Sequence, residues 1–269
     1  MNKPTPTVSR SASRCQGFTL IELLIAITVG LFLLGGVMTI VQDTRRATSS
    51  QTGATQLQDS VRLAMTMLTD VIQTAGYYTG PFYSTATGAM LTSAPFVAGQ
   101  SLSGTGAFGA AAPGDAISVR YQTATGDGVL NCGGTSNITG SNEVFVNTFS
   151  LDAQGDLQCT LISAAGTTTI VLVPAVTSAT NPLQITNLQI LYGVQTNVAA
   201  GNQCADSYWD ANKVSATTIN GQTAWNYVVS VRITLSFTNP IAGQPALQFT
   251  RVIGIMSKMG VVYINGLPT

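Results

Sequence analysis

The first strong pattern along the chain is an apolar run from Phe18 to Val41, which contains a single ionisable side chain, Glu22. As an α-helix, a run of this length measures about 36 Å, which is enough to cross a hydrocarbon core of about 30 Å with some tilt. A carboxylate near the start of such a helix is costly unless it has a partner. The run therefore predicts a membrane-spanning helix, and Glu22 is a candidate functional residue.

After the apolar run, the polar residues 42–50 mark the exit from the membrane, and a helical pattern then continues to Gly76. Apolar residues recur there at spacings of four and three, which is the pattern of one stripe on an α-helix: Leu57, Val61, Ala64, Leu68, Val71 and Ala75. Gly76 fits a C-terminal cap. We predict that most of the stripe packs on a β-sheet of the same chain, and packing against neighbouring subunits is the alternative.

The second half of the chain has strand-like runs at short intervals. From Val229 to Phe237 the apolar and polar residues alternate, which is typical of a half-buried antiparallel strand. The short polar loop between Leu151 and Leu157 predicts a hairpin, whereas residues 77–113, rich in Gly, Ser, Thr, Ala and Pro, predict a long surface connection with one or two short strands. The predicted strands are 116–122, 143–151, 157–163, 168–173, 183–192, 226–237 and 247–256.

Together these patterns predict an α+β fold, in which one long N-terminal helix packs on an antiparallel β-rich globular head. The predicted organisation is a transmembrane helix over 18–41, an amphipathic helix outside the membrane over 42–76, and a β-rich head over 77–269.

Composition and charge favour an exported protein. Only 8% of the 269 residues are charged, which suits a loop-rich exported domain better than a cytosolic enzyme. The segment before the apolar run carries Lys3, Arg10 and Arg14 but no acid, so it is expected to stay in the cytoplasm while the remainder lies outside. Basic residues do not cluster elsewhere, which argues against nucleic acid as a partner.

One residue type that many catalytic sites need is missing. The chain has no histidine, which excludes Ser-His-Asp and Cys-His nucleophile pairs and histidine-ligated zinc. We therefore expect neither enzymatic activity nor a cofactor or metal. Two acidic pairs, Asp152 with Asp156 and Asp206 with Asp210, offer oxygen ligands for calcium but lack the spacing of a calcium loop, so hydrogen bonding within turns is the stronger expectation. For Tyr208 and Trp209 we favour packing or loop anchoring over an exposed contact pair.

Gly17-Phe18-Thr19-Leu20-Ile21-Glu22, behind a short basic leader, resembles the cleavage and methylation motif of type IV prepilins and type II secretion pseudopilins. The resemblance implies that a membrane peptidase removes residues 1–17, cutting between Gly17 and Phe18, and that the new N-terminal Phe18 is N-methylated. It also implies that Glu22 pairs with the N-terminal amine of a neighbouring subunit during assembly. An uncleaved signal anchor is the alternative.

Motifs in the second half are similar to those of PilW-type minor pilins. Asn131 stands where that family usually has an acidic residue, which removes a potential ligand. The resemblance implies a type IV pilin-like fold. The segments that carry it are Gly114-Asp115-Ala116-Ile117-Ser118-Val119-Arg120-Tyr121, Asn131-Cys132-Gly133-Gly134, Leu157-Gln158-Cys159, Leu191-Tyr192-Gly193-Val194 and Trp225-Asn226-Tyr227-Val228-Val229-Ser230-Val231-Arg232-Ile233.

The four cysteines are expected to lie in two different compartments. Cys15 lies in the predicted leader, whereas Cys132, Cys159 and Cys204 would face an oxidising periplasm. We favour a disulfide between Cys132 and Cys159, whose loop closure is worth about 3.5 kcal/mol in the chain-entropy model, and a free Cys204. The sequence alone leaves the pairing open.

The family resemblance implies a low-copy subunit of the tip and initiation complex of a type IV pilus, which supports twitching motility, adhesion or DNA uptake. The implied partners are other minor pilins, the major pilin, a PilY-type tip adhesin, the prepilin peptidase, the inner-membrane assembly platform and, before assembly, membrane lipid. The implied location is the inner membrane of a Gram-negative bacterium, with a periplasmic head, and then the pilus. The alternatives are a J-type pseudopilin of type II secretion and a single-span binding or sensor module that never polymerises.

Overall fold

A computed structural model describes residues 18–80, 86–106, 109, 113–176, 183–197, 204–241, 243–258, 263–264 and 267–268. The predicted leader, including Gly17, lies outside the described residues. The chain divides into two compact units, with the boundary between residues 48 and 49.

Helix α1 (Leu20–Gln73) is continuous and contributes to both units. In the first unit its apolar side chains are exposed, with Phe32 86% accessible to solvent. Within the described part of the chain, α1 is the helix that is long and apolar enough to cross a membrane. An exposed apolar surface of this extent needs lipid or other subunits to cover it.

The second half of α1 packs into the core of the second unit. Five of the six residues of the predicted stripe are buried, and Val61 packs partly against the same core. The prediction that the stripe packs on strands of the same chain is confirmed. Gly76 lies just beyond the helix with φ of +76°, and its N–H donates to the carbonyl of Arg120 at 2.9 Å.

The first sheet is an antiparallel meander of five strands in chain order. The hairpin between β3 and β4 pairs Leu151 with Leu157, as the polar loop predicted. The strands are β1 (Leu102–Thr105), β2 (Ala116–Thr123), β3 (Glu143–Leu151), β4 (Leu157–Ser163) and β5 (Gly166–Val173), and β1 and β5 are the outer ones.

The second sheet has four antiparallel strands in the order β11-β10-β6-β7. In β10 the side chains of Val231, Ile233 and Leu235 are fully buried, whereas those of Arg232 and Thr234 are half-buried, which confirms the predicted alternation over these residues. The alternation ends at Ser236, which is buried. The strands are β6 (Ile185–Val194), β7 (Ser207–Trp209), β10 (Val228–Phe237) and β11 (Leu247–Gly254).

Several short elements connect the sheets. The strand predicted from residue 226 begins at Val228, because Ala224–Tyr227 forms a 3₁₀ turn that buries Trp225. The sequence patterns predicted neither this turn nor α3 and β7. The remaining elements are α2 (Ala86–Ala89), α3 (Ala211–Ala216), β8 (Thr218–Ile219), β9 (Gln222–Thr223), a second 3₁₀ turn (Met256–Lys258), β12 (Tyr263–Ile264) and β13 (Leu267–Pro268).

The prediction of a surface connection with one or two short strands over 77–113 is confirmed for the exposed residues 91–95 and for the short strand β1, but it is wrong for two side chains that anchor this segment. Met90 and Phe96 are almost completely buried there, with 1% and 2% of their surface exposed. Residues 90–100 are hydrogen-bonded to the side chain of Arg120 on β2, so they form part of the packed head.

Candidate assembly site

The N-terminus of α1 has the geometry of a capping box. The Oε2 atom of Glu22 accepts hydrogen bonds from the N–H of Thr19 at 3.2 Å and from its hydroxyl at 3.1 Å. In return, the N–H of Glu22 donates to the Thr19 hydroxyl oxygen at 3.4 Å. Such reciprocal bonds satisfy N–H groups that a helix leaves free in its first turn.

This arrangement leaves an acid and an apolar ring, four residues apart in the chain, exposed at the start of the helix. Phe18 is 84% exposed, and Glu22 is also exposed. The carboxylate is favoured by the partial positive charge of the helix N-terminus, yet it remains accessible to an ammonium group of another molecule. Sequence analysis selected Glu22 but missed Thr19, although Thr followed by Glu three residues later is itself a capping signal.

In the head, a disulfide between Cys132 and Cys159 fixes the loop before β3. Their Cα atoms are 6.4 Å apart, and the N–H of Cys132 also donates to the Asn147 side chain at 2.9 Å. The bond links the loop to β4, which makes the loop part of the sheet framework. Cys204 is exposed and is not in a disulfide.

Asn131 shows what replaces the acid expected before the first of these cysteines. Its side-chain oxygen accepts from the N–H groups of Gly133 and Thr135, at 2.9 and 3.2 Å, while its amide group donates to the Thr135 hydroxyl at 2.8 Å. A carboxylate offers acceptors only, so an amide but not an acid can donate to the Thr135 hydroxyl oxygen.

The two acidic pairs considered for calcium are engaged in local structure. Asp152 accepts from the N–H groups of Gln154 and Asp156 in the β3–β4 turn, and Asp206 accepts from residues 196 and 197. Asp210 caps α3 by accepting from the N–H of Lys213 at 2.8 Å. Among the described residues, no group of three or more Cys, Asp and Glu side chains is arranged to hold a metal ion.

The aromatic pair on β7 anchors neighbouring elements. The ammonium group of Lys213 lies 4.5 Å from the centre of the Trp209 ring, and the guanidinium group of Arg232 lies 4.6 Å from that of Tyr208. Trp209 packs against the core, while Tyr208 is 36% exposed. These contacts join β7 to α3 and β10.

Arg120, a residue whose role the sequence analysis missed, organises the segment before β1. Its side chain is buried on β2, with 1% of its surface exposed, and burial lowers its pKa to about 10. The guanidinium group donates to the backbone carbonyls of Leu91, Val97 and Gln100 at 2.6 to 2.9 Å. It also lies 4.6 Å from the centre of the Phe96 ring. An arginine within an otherwise uncharged strand was the available signal.

Asp115 links the two sheets. Its N–H donates to the carbonyl of Leu188 on β6, and its Oδ2 atom accepts from the N–H of Ile190, each at 2.7 Å. Gly114, with φ of +99°, lets the two backbones approach, because a Cβ atom there would collide with the Leu188 carbonyl. The Oδ1 atom of Asp115 is buried and has no hydrogen-bond partner among the described residues. Burial and the nearby Asp210 carboxylate raise the pKa of Asp115, although the Ile190 N–H opposes this.

The raised pKa predicts how the stability of the head depends on pH. The folded state holds the Asp115 proton more tightly than the unfolded chain does, so protonation of Asp115 stabilises the fold. This contribution to the free energy of unfolding is complete below the ordinary aspartate pKa of 3.8. It is lost as the pH rises through the higher folded pKa. We expect Asp115→Asn to remove this loss while keeping an acceptor for Ile190, and Asp115→Ala to destabilise the head at every pH.

Urea unfolding of the full chain from pH 3.5 to 7, in a detergent of constant charge, measures this effect. Asp59→Asn is the matched control, because Asp59 is exposed on α1. An unchanged pH profile in Asp115→Asn would contradict the assignment.

Two family models match separate parts of the chain. The prokaryotic N-terminal methylation motif matches residues 12–38, and the type IV pilus-assembly protein W family matches residues 150–244. Among solved structures, the chain is similar to a type IV-like pilin from Thermus thermophilus, with 12% identity, a TM-score of 0.37, and coverage of 74% of this chain and 96% of the other. No curated protein matches the sequence significantly.

The first match contains Phe18, Thr19 and Glu22, and the second runs from the end of β3 through β10. An N-terminal apolar helix and a prepilin motif fit a membrane-anchored pilin that becomes part of a pilus. The chain thus carries a prokaryotic N-terminal methylation motif across the start of α1 and, in its head, a region that matches the type IV pilus-assembly protein W family.

Proposed function

We propose that the chain is a minor pilin of a type IV pilus and acts as a structural subunit of its tip and initiation complex. One observation carries the proposal. A methylation motif spans the start of a helix whose apolar half is exposed and contains one acid, and the PilW match lies in the second compact unit.

Processing comes first in this proposal. The prepilin peptidase cuts between Gly17 and Phe18 and removes the basic leader, and the new amine of Phe18 is methylated. Before assembly, the apolar half of α1 lies in the inner membrane of a Gram-negative cell and the head lies in the periplasm. Afterwards the subunit is part of the pilus at the cell surface.

Assembly then depends on Glu22. Inside the bilayer an unpaired charge is costly, so the carboxylate and the N-terminal amine of a neighbouring subunit stabilise each other when they meet. The capping box holds the carboxylate at the end of its own helix until that amine arrives. Because an unpaired carboxylate or amine is costly in the bilayer, the helices stack in the one register that brings the two charges together.

The proposed partners act at different stages. The peptidase and the inner-membrane assembly platform act on the membrane-anchored form, whereas other minor pilins and the major pilin pack against the exposed half of α1. A PilY-type adhesin would occupy the tip above the heads. Twitching motility, adhesion or DNA uptake would follow from the finished pilus.

Intact-mass spectrometry of the chain from sheared pili tests the processing step. We expect the polypeptide to start at a methylated Phe18, and we expect residues 1–17 to remain in a strain without the peptidase. Gly17→Val should retain the leader, whereas Gly30→Ala is the matched control, because no atom lies within 4 Å of a Cβ added at Gly30. A mature chain that still carries the leader would contradict the proposal.

Deletion of the gene distinguishes a role in pilus assembly from a role in type II secretion. We propose loss of surface pili with normal enzyme secretion, since the family match in the head is to a pilus-assembly protein. The reverse result would assign the chain to a type II secretion system.

A further inference from the structure

A row of hydroxyl side chains crosses the whole first sheet. The register places them directly opposite one another from β1 to β5, so they lie on the same face. Two hydrogen bonds tie the row together, Ser118 to Thr148 at 2.8 Å and Thr160 to Thr169 at 3.2 Å. The row consists of Ser103, Ser118, Thr148, Thr160 and Thr169.

At the β1 end of this row the surface forms a cleft of about 460 Å³. This volume is in the range of small-molecule sites in proteins. Six hydroxyl groups line it, those of Ser103, Thr105, Ser118, Thr148, Ser215 and Thr223. Pro95 and Trp225 supply apolar wall, and none of the described residues that line the cleft is charged.

The chemistry of the lining selects a class of ligand. Each hydroxyl group can donate one hydrogen bond and accept others, so the set suits a ligand that itself has many hydroxyl groups. An anion would find no cationic side chain in the lining, and a metal ion would find no carboxylate or thiolate. The apolar wall suits the C–H face of a sugar ring.

The cleft is also rigid before any ligand arrives. Trp225 is held by a hydrogen bond from its Nε1–H to the Ser215 hydroxyl at 3.2 Å and by edge-to-face packing on Tyr192 at 4.7 Å between ring centres. The segment that carries Pro95 is fixed by Arg120, whose guanidinium group donates hydrogen bonds to the carbonyls of Leu91 and Val97. Groups that are already ordered lose little entropy on binding.

We propose that this cleft binds one sugar unit of a neutral glycan. The site is independent of processing and of helix stacking, so it adds a ligand to the head rather than restating its role in assembly. Hydroxyl groups of the cleft make the directional contacts, and the exposed Pro95, beside the largely buried Trp225, supplies the apolar contact with one face of the ring.

Saturation-transfer NMR and calorimetry on the full chain test the proposal, in a detergent whose head group is not a sugar. The probes are the methyl glycosides of glucose, galactose, mannose and N-acetylglucosamine, with glucuronate and glucose 6-phosphate as charged counterparts. We expect at least one neutral probe to bind and both charged sugars to bind more weakly than that probe.

Two threonines of the same row provide matched variants. Thr148→Val removes a hydroxyl group from the cleft, and we expect affinity to fall by about threefold to tenfold, as for the loss of one hydrogen bond. Thr160→Val removes a hydroxyl group from the same row outside the cleft and should leave affinity unchanged. If Thr148→Val proves unfolded by circular dichroism, Ser103→Ala serves in its place.

Two results would overturn the proposal. One is the absence of binding by every neutral probe at 50 mM, a concentration on the order of ten times the Kd of a weak, millimolar site. The other is an equal loss of affinity in Thr148→Val and Thr160→Val, which would show that the cleft is not the binding site.

Discussion

Replacing Arg120 with methionine is expected to lower the free energy of unfolding of the head by about 4 kcal/mol. The three carbonyl groups of residues 91, 97 and 100 would lose their shared donor in a buried environment, at about 1 to 3 kcal/mol each before relaxation. Methionine is unbranched and keeps much of the side-chain volume, so the loss reports mainly on the missing hydrogen bonds. The stacking of the cation on Phe96 would be lost as well.

Denaturant unfolding of the full chain followed by near-ultraviolet circular dichroism measures the loss, and hydrogen exchange shows where it occurs. We expect the amides of residues 90–100 to exchange much faster in Arg120→Met. Arg232→Met is the control, because Arg232 makes a ring contact at the same 4.6 Å distance but is only half-buried. Equal destabilisation by the two variants would show that the carbonyl contacts of Arg120 contribute little.

The second large effect concerns Glu22. We expect Glu22→Ala to reduce recovery of the chain in sheared pili by at least about tenfold, the equivalent of 1.4 kcal/mol at one contact. The head should keep its fold, because Glu22 lies in the first unit and its hydrogen bonds in the described structure are made with Thr19. Immunoblots of sheared pili, normalised to the amount in the membrane, measure the change.

Glu22→Gln separates the two properties of this side chain. Glutamine at the third helical position can complete a capping box but carries no charge. If charge pairing drives assembly, Gln should fail as Ala does, and rescue by Gln would show that capping is the property that matters. Asp43→Asn, a change of charge at another exposed position of α1, should have little effect.

The regular elements were predictable because their periodicity is local. The stripe from Leu57 to Ala75 and the alternation along β10 both reflect which side faces the core, and each can be recognised from a few neighbouring residues. Helix α3 and β7 were missed because each is too short to show a period.

The position of residues 90–100 could not be predicted from local pattern. These residues mix apolar and small polar side chains with no sustained period, which is typical of a loop, and they are held by an arginine 20 to 30 positions later in the chain. Asp115 presents the same difficulty, because its raised pKa arises from the meeting of two sheets. By contrast, Glu22 was accessible from sequence, since its motif is contiguous.

The outer position of β5 in the first sheet has a practical consequence. Within the described part of the chain this strand pairs only with β4, and it contains neither proline nor a charged residue, the features that commonly protect an open edge. Its exposed Val171 adds to the risk of strand addition. Concentrated preparations are therefore prone to aggregate through this edge, and a lysine in place of Thr168 would be a rational solubilising change.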